Sequence, residues 1–204
     1  MLRRAVTHLK KCDPVMAGII ARVGPCRFRV RTEGTHFAAL TSSIIYQQVS
    51  GAAAATIQRR LFALYGDRPP EPAELLTTSE EVLRTAGLSR QKQRYIRDLA
   101  THAQDGTLPF DAVHAMSDED VIAVLTQVKG IGKWTAQMFL MFRLGRLDIL
   151  PELDLGIRNA VQRAYRMRRP PVAKRLHKVG AAWAPYRTIA CWYLWRSLGG
   201  DAAI

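Results

Sequence analysis

The sequence predicts an all-α fold of two helical lobes flanking a cleft, and three observations support this prediction. Apolar residues recur at helical spacing along most of the 204 residues. Serine or aspartate precedes several of these segments, and glycine or proline follows them, as at helix starts and ends. Only residues 26–34 alternate in the manner of a short extended segment. We therefore expect a single unit over residues 1–204, made of two interleaved lobes.

Turn and cap residues separate the helices predicted in the first half of the chain. Asp13-Pro14 opens a helix that Gly24 closes, and Ser50 caps an alanine-rich helix that ends at Gly66. The helices expected here cover residues 15–24, 36–50, 51–66 and, after a proline-rich link at 67–76, residues 80–87, where Ser79 indicates a new start.

The second half is also helical in pattern. Ser117 caps a segment that has Asp118, Glu119 and Asp120 in its first turn, where the helix dipole favours acidic side chains. Residues 143–154 contain a proline and are expected to form a loop. Helices are expected at residues 89–103, 118–128, 155–167, 172–184 and 186–198, and around a glycine-rich hairpin motif at about 121–142.

The charge of the chain favours a polyanionic partner. The net charge is +13 and the pI about 10.3, which raises the prior for nucleic acid, although charge alone leaves a role in solubility open. Three widely separated cysteines argue against a disulfide scaffold and a four-cysteine iron–sulfur site. No apolar run approaches the ~20 residues of a membrane span. We expect a cytoplasmic, monomeric protein without membrane association.

Gly130 and Gly132 lie between two apolar segments at helical spacing. Glycine at these positions lets one helix end and another begin within a few residues. The backbone N–H groups and the positive dipole end of the second helix would then form an anion site. A nucleotide-binding loop requires glycine where Gln127 stands, and a dinucleotide fingerprint requires it at Thr135. A helix corner without a ligand is the remaining alternative.

Several segments, in order along the chain, resemble the helix-hairpin-helix DNA glycosylases. "VKGIGKWTA" is similar to the hairpin of that family and "LPELDLGIRNA" to its catalytic aspartate segment. "FAALTSSIIYQQVS", "GLSRQKQRYIRDLA" and "WAPYRTIACWYLWR" are similar to the DNA-3-methyladenine glycosylase II branch, which repairs alkylation damage. The resemblance covers roughly residues 35–198. It implies a compact form without the N-terminal mixed domain of the larger bacterial enzyme.

Asp154 is the catalytic candidate, because it matches the aspartate of the family and begins a predicted helix. Base removal breaks an N-glycosidic bond and places positive charge on the sugar, which a carboxylate in a dry pocket stabilises. The alternative is a helix N-cap without chemistry. The other acidic residues of the loop, Asp148 and Glu152, match the family less well and are expected to face solvent.

The resemblance also implies that the reaction is hydrolytic. Bifunctional relatives carry a nucleophilic lysine on the second hairpin helix, and Trp134 occupies that position here. Lys133 is adjacent but points about 100° away around the helix, toward phosphates. We therefore predict a monofunctional glycosylase without β-lyase activity.

A flipped, cationic alkylated base requires an aromatic pocket and a side chain that fills the gap left in the duplex. Trp195 matches the stacking tryptophan of the family, and the other expected pocket residues are Trp192, Tyr46, Trp134 and Met138. Met138 replaces a tyrosine of the larger bacterial enzyme, which leaves the preferred base open. The wedge is expected at Gln48, with Gln47 beside it. Packing of the rings in the core is the alternative.

DNA contacts complete the expected site. The hairpin residues expected to bind phosphate are Val128, Gly130, Gly132, Lys133 and Thr135, and basic side chains nearby are Lys129, Arg90, Lys92, Arg187 and Arg158. The family often binds phosphate there through Na⁺ or K⁺ on backbone carbonyls, and neither a catalytic metal nor another cofactor is expected.

The expected partner is double-stranded DNA with alkylated purines such as 3-methyladenine or 7-methylguanine. Two alternatives stay open. One is the same fold acting on uracil, mismatched thymine or an oxidised purine. The other is a helix-hairpin-helix module that senses damage without catalysis.

Overall fold

The computed structural model describes residues 1–199, and these form helices without any β-strand. The described chain divides into two compact units, one formed by Met1–Arg31 with residues 140–199, and the other by Thr32–Phe139. The helices are α1 Leu2–Cys12, α2 Pro14–Val23, α3 His36–Tyr46, α4 Gly51–Ala63, α5 Pro72–Thr77, α6 Glu80–Thr85, α7 Arg90–Gln104, α8 Asp118–Leu125, α9 Lys133–Phe142, α10 Leu155–Ala164, α11 Ala173–Gly180 and α12 Arg187–Ser197, with a 3₁₀ turn at Ala181–Trp183.

Helix α12 is the core of the first unit. Its residues from Thr188 to Trp195 are all buried, and the helix packs against α2 and α10. A helix that is apolar on all sides must be surrounded by protein, since no face is suited to water. The two hydroxyl groups in this run are satisfied, because Thr188 Oγ1 donates to the Arg146 carbonyl and accepts from Ile149 N–H, and Tyr193 Oη donates to the Gly24 carbonyl at 3.1 Å.

The buried carboxylate of Asp13 connects the N-terminal and C-terminal segments of the first unit. Asp13 caps α2 by accepting from the backbone N–H groups of Val15 and Met16. Its other oxygen accepts from Tyr165 Oη and from Trp183 Nε1 at 2.9 Å. Burial disfavours the charged form of Asp13, but these four donors outweigh it and hold the pKa of the carboxyl below its ordinary value.

Helix α7 is the centre of the second unit. It packs against α3, α5 and α6, and it buries Ile96, Leu99 and Ala100 on one face. The opposite face carries exposed basic side chains, as the amphipathic pattern predicts. The second unit is therefore organised around one basic amphipathic helix.

Serine caps begin four helices of the second unit, including the three expected from the sequence. Ser50, Ser79, Ser89 and Ser117 each accept a backbone hydrogen bond at the start of a helix. These bonds satisfy N–H groups that have no acceptor within a helix. The predicted cap positions at 50, 79 and 117 are confirmed.

Local structure differs from the sequence pattern in two places. The one strand candidate, residues 26–34, forms no strand, and Arg31 N–H donates to the Phe142 carbonyl at 2.7 Å. A strand requires a neighbouring strand, and the described chain has none. The proline-rich link contains helix α5, because Pro72 occupies the first helical turn and Glu71 with Glu74 forms a capping box.

Candidate functional site

Asp154 is the residue before the first turn of α10 and caps that helix. Its Oδ1 atom accepts from Ile157 N–H at 2.7 Å, and its own N–H donates to the Pro151 carbonyl at 3.0 Å. The positive end of a helix dipole favours negative charge at this position. The structural alternative, a helix cap, is thus real, but it does not exclude chemistry at the same carboxylate.

Trp195 of α12 donates from Nε1 to the same Oδ1 of Asp154 at 2.9 Å. The indole is 8% exposed and lies 6.1 Å from the ring of Phe142, centroid to centroid. Asp154 is therefore held by a backbone donor on α10 and a buried side-chain donor on α12. This contact was not predicted; stacking of Trp195 on a base remains a prediction.

Gly156 makes this contact possible and was missed by sequence reasoning. A Cβ atom at Gly156 would lie 3.1 Å from Trp195 Cδ1 and 3.1 Å from Asp154 Oδ1. Both distances are tighter than ordinary van der Waals contact, so a Cβ atom there would require the indole or the carboxylate to shift by a few tenths of an ångström. The signal was a glycine in the first turn of a helix, where glycine weakens helix formation and has no capping role.

Trp192 lies elsewhere on α12 and is 6% exposed. Its ring meets Tyr193 edge to face at 4.9 Å, and the Arg196 guanidinium lies 5.5 Å from the ring centre. The structure thus places Trp195, but not Trp192, in contact with Asp154. A role for Trp192 in binding a base remains a prediction.

The side chains on either side of Asp154 are exposed and apolar. Leu153 is 61% exposed and Leu155 is 63% exposed. They had not been singled out in the sequence, where Leu155 fitted a helical pattern.

The expectation that both other loop acids face solvent is wrong for Glu152, whereas the Asp148 side chain is 33% exposed. Glu152 is buried at 7% exposure, and Asp148 forms two 2.7 Å hydrogen bonds with the guanidinium of Arg187. This pairing also engages a side chain expected to bind phosphate. Arg158, another of those expected contacts, donates from Nε to the Pro171 carbonyl at 2.8 Å.

The glycine hairpin connects α8 and α9. Gly130 has φ +86°, a conformation that side chains rarely adopt, and Val128 and Ile131 on either side are buried. Ile131 N–H donates to the Val128 carbonyl at 3.0 Å, which closes the turn. Gly132 does not have a positive φ, so only the first glycine requires that freedom.

Three side chains hold this turn. The ring of Tyr95 lies against Gly130 so closely that an added Cβ would be 2.2 Å from Tyr95 Cδ2. Asp98 accepts from both Lys129 N–H at 2.8 Å and Lys129 Nζ at 2.9 Å. Gln47 donates from Nε2 to the Gly130 carbonyl at 2.9 Å. The chain therefore fixes the hairpin from two different segments.

The pKa of Asp98 is lowered. Partial burial alone would raise it, but the backbone N–H and the ammonium group of Lys129 outweigh that effect, and His102 adds to them. Lys129 was expected to bind phosphate, and the Asp98 carboxylate that pairs with its ammonium group would compete with that phosphate. Lys92, a further expected contact, instead donates from Nζ to the Ile45 carbonyl.

The remaining predicted residues of the second unit differ in exposure. Tyr46 and Trp134 are 42% and 40% exposed, so both can reach a ligand. Met138 and Thr135 are buried, at 6% and 7%. Lys133 begins α9 and is exposed, as its predicted phosphate role requires.

The predicted wedge residues separate in the structure. Gln47 is half-buried and hydrogen-bonded to the hairpin, whereas Gln48 is exposed and has φ +57°. Of the two, only Gln48 extends into solvent. This geometry suits insertion by Gln48 and a different role for Gln47.

The described side chains include no cluster suited to binding a metal ion. Within residues 1–199, no group of three or more His, Cys, Asp or Glu side chains could hold a metal ion. At the hairpin, the Val128 carbonyl accepts from Ile131 N–H and the Gly130 carbonyl accepts from Gln47 Nε2; a Na⁺ or K⁺ ion there remains a prediction. No helix among residues 1–199 is long and apolar enough to cross a bilayer.

Comparison with known proteins places this geometry in a family. The model of the HhH-GPD superfamily of base excision DNA repair proteins matches residues 41–185. The alkylbase DNA glycosidase-like protein mag2 of Schizosaccharomyces pombe is 30% identical over 95% of this chain and 92% of its own.

Two solved structures are similar to the chain. The 3-methyladenine DNA glycosylase Mag1 of Schizosaccharomyces pombe, in complex with abasic DNA, has a TM-score of 0.84 and 30% identity, over 97% of this chain and 98% of its own. A DNA-3-methyladenine glycosidase of Bacillus halodurans has a TM-score of 0.85 and 38% identity, over 96% of this chain and 89% of its own. The predicted family and the all-α class are confirmed.

Proposed function

Because the chain belongs to the HhH-GPD superfamily of base excision DNA repair proteins, we propose that it is a DNA glycosylase that hydrolyses the N-glycosidic bond of alkylated purines. The names of its relatives support the substrate class. The observation that carries the proposal is the carboxylate of Asp154, held by Ile157 N–H and Trp195 Nε1 at the start of α10.

The proposed reaction removes the damaged base without a covalent intermediate. As the bond from C1′ to the base nitrogen lengthens, its electron pair leaves with the base, and positive charge develops on the sugar. Asp154 stabilises that charge and orients the water that attacks C1′, and the proton that this water loses passes to solvent. An N-alkylated purine is already cationic, so it departs as a neutral base and little acid catalysis is required.

Two hydrogen bonds to one oxygen give the carboxylate a defined orientation. Fixed donors lower the cost of rearrangement when charge appears in the transition state. Trp195 is thereby a positioning residue for Asp154 as well as the expected stacking partner of the base. In the same proposal, Trp192, Tyr46, Trp134 and Met138 contribute to base binding.

Duplex DNA is the proposed partner, bound by a monomer that acts in the cytoplasm on nucleoid DNA. The start of α9 and the hairpin N–H groups suit a backbone phosphate, and the charge of +13 supports binding to a polyanion. A Na⁺ or K⁺ ion on the hairpin carbonyls would add charge next to that phosphate. No cofactor takes part in the proposed chemistry.

The proposed enzyme has no lyase activity. Trp134 stands where bifunctional relatives carry the lysine that forms a Schiff base with the sugar. An indole cannot perform that step. Incubation with DNA that contains one abasic site should leave the strand intact until alkali is added, and borohydride should trap no covalent complex.

The experiment that tests the function measures bases released from methylated DNA by the purified protein. Release of 3-methyladenine or 7-methylguanine by the wild type, and its collapse in Asp154→Asn with DNA binding retained, is expected. A panel of duplexes with uracil, mismatched thymine or 8-oxoguanine tests the related activities. DNA binding without release of any base would instead identify a non-catalytic damage-binding module.

A further inference from the structure

We propose that Gln47 and helix α7 form a bracket that fixes the wedge residue Gln48 relative to the glycine hairpin. The bracket consists of Gln47 with Lys92, Tyr95 and Asp98. Gln47 is then a positioning residue and not a second wedge. This inference rests on the proposed function, since it concerns how the protein opens damaged DNA.

One side of the bracket holds the end of α3. The last carbonyl groups of a helix accept no hydrogen bond from within the helix, and a positively charged side chain near them is stabilising. Lys92 on α7 donates from Nζ to the Ile45 carbonyl, one residue before α3 ends at Tyr46. The segment that leads to Gln48 is thereby attached to α7.

The other side holds the hairpin from the same helix. Tyr95 lies one turn beyond Lys92, and its ring fills the space next to Gly130. Asp98 lies a further turn along and binds both the backbone and the side chain of Lys129. Residues 92, 95 and 98 follow one another at intervals of three, so consecutive turns of α7 contact both segments.

Gln47 closes the bracket. Its Nε2 atom donates to the Gly130 carbonyl, a contact between residues 83 apart in sequence. The next residue, Gln48, has φ +57°, and a side-chain residue in that region persists only where its surroundings hold it. The hydrogen bond of Gln47 therefore sets the direction in which Gln48 extends.

The mechanical consequence concerns DNA. The hairpin is expected to hold a phosphate, and Gln48 is expected to enter the base stack. Insertion at the correct step requires that the separation between these two groups be fixed before binding, because disorder there would add an entropic cost to association. The bracket supplies this fixed separation within one compact unit.

The test is a double-mutant cycle that uses Gln47→Met and Gln48→Ala. The probe is a duplex with one tetrahydrofuran abasic analogue opposite 2-aminopurine, whose fluorescence reports unstacking. We measure affinity for this duplex relative to an undamaged duplex, together with thermal unfolding. Methionine preserves the length of Gln47 but removes the donor, so the preference for the abasic duplex should fall about fivefold, which corresponds to one net hydrogen bond.

If Gln47 acts through Gln48, the double variant should be no weaker than Gln48→Ala alone. The proposal would be overturned if the double variant lost preference by the product of the two single losses. It would also be overturned if Gln47→Met left the preference for the abasic duplex unchanged. A wild type that binds both duplexes equally would overturn it as well, since no wedge would then exist. Lower thermal stability without loss of preference would assign Gln47 a purely structural role and also reject it.

Gln162→Met is the matched control. Gln162 likewise donates from Nε2 to a backbone carbonyl, that of Arg168 at 3.4 Å, but in the other unit. The Gln162→Met variant should leave the preference for the abasic duplex and the 2-aminopurine fluorescence unchanged.

A second arm compares Asp98→Ala with Asp98→Asn. The amide oxygen of asparagine can still accept from Lys129 N–H, so asparagine should restore part of the preference that alanine removes. Equal losses in the two variants would count against the bracket.

These binding measurements do not require base release. Failure of the proposed function would appear as a wild type that liberates no base from methylated DNA. Failure of the bracket would appear as additive variants in the binding assay. The two results can therefore be obtained independently.

Discussion

Asp154→Asn separates the chemical role of the carboxylate from its role as a helix cap. Asparagine retains an oxygen that can accept from both Ile157 N–H and Trp195 Nε1. Aspartate and asparagine are nearly equal as caps, so the lost interaction with the helix dipole should cost at most about 1 kcal/mol of unfolding free energy. The fold should therefore persist.

The effect on catalysis should be much larger. A unit negative charge about 4 Å from a developing unit positive charge contributes about 4 kcal/mol at an effective dielectric constant of about 20. This corresponds to a roughly 1,000-fold decrease in the rate of base release. The assay is single-turnover release of 3-methyladenine from methylated duplex DNA, with affinity and thermal unfolding measured on the same preparation.

Asp154→Ala provides the comparison. Alanine removes the cap and leaves the buried Trp195 Nε1 without this acceptor, so it should cost about 2 kcal/mol or more of unfolding free energy in addition to activity. An Asp154→Asn rate within about tenfold of the wild type would show that the charge is not used in the transition state. The catalytic assignment would then be refuted, whatever the stability of the alanine variant.

Gly130→Ala should lower the unfolding free energy by about 2–5 kcal/mol, since the added Cβ meets the ring of Tyr95 and the φ of +86° is unfavourable for alanine; thermal unfolding measures this loss. Gly132→Ala is its control, because the added Cβ meets nothing within 4 Å, and comparable losses in both variants would contradict the assignment. Gly156→Ala should separate Trp195 from the carboxylate and slow base release with little change in DNA affinity; an unchanged single-turnover rate would show that the contact is not needed. Asp13 has a pKa below its ordinary value of 3.8 in the folded protein, so its stabilising contribution is present above that pH and is lost as the pH falls through the folded pKa. Asp13→Asn should therefore unfold with a weaker acid dependence in that window, and equal acid dependence of both proteins would argue against the coupling.

Local interactions explain which parts of the fold were predictable. Ser50, Ser79 and Ser117 each accept a backbone hydrogen bond from a residue three positions ahead, so a few residues suffice to identify a helix start. Helix α5 was missed because proline was interpreted as a breaker, although it is favourable in a first turn. The strand candidate at residues 26–34 forms no strand, since strand pairing depends on a partner elsewhere in the chain.

The sequence by itself determined the helical class, the tight turn at Gly130 and the place of Asp154 at a helix start, because each depends on neighbours within about four residues. Only the tertiary structure decided that Trp195 binds Asp154 across 41 residues, that Asp98 binds Lys129 across 31, and that Gln47 binds the hairpin across 83. Packing brings such residues together, and no local spacing encodes which distant donor will meet a given acceptor. The same reason explains why Glu152, expected at the surface, is buried.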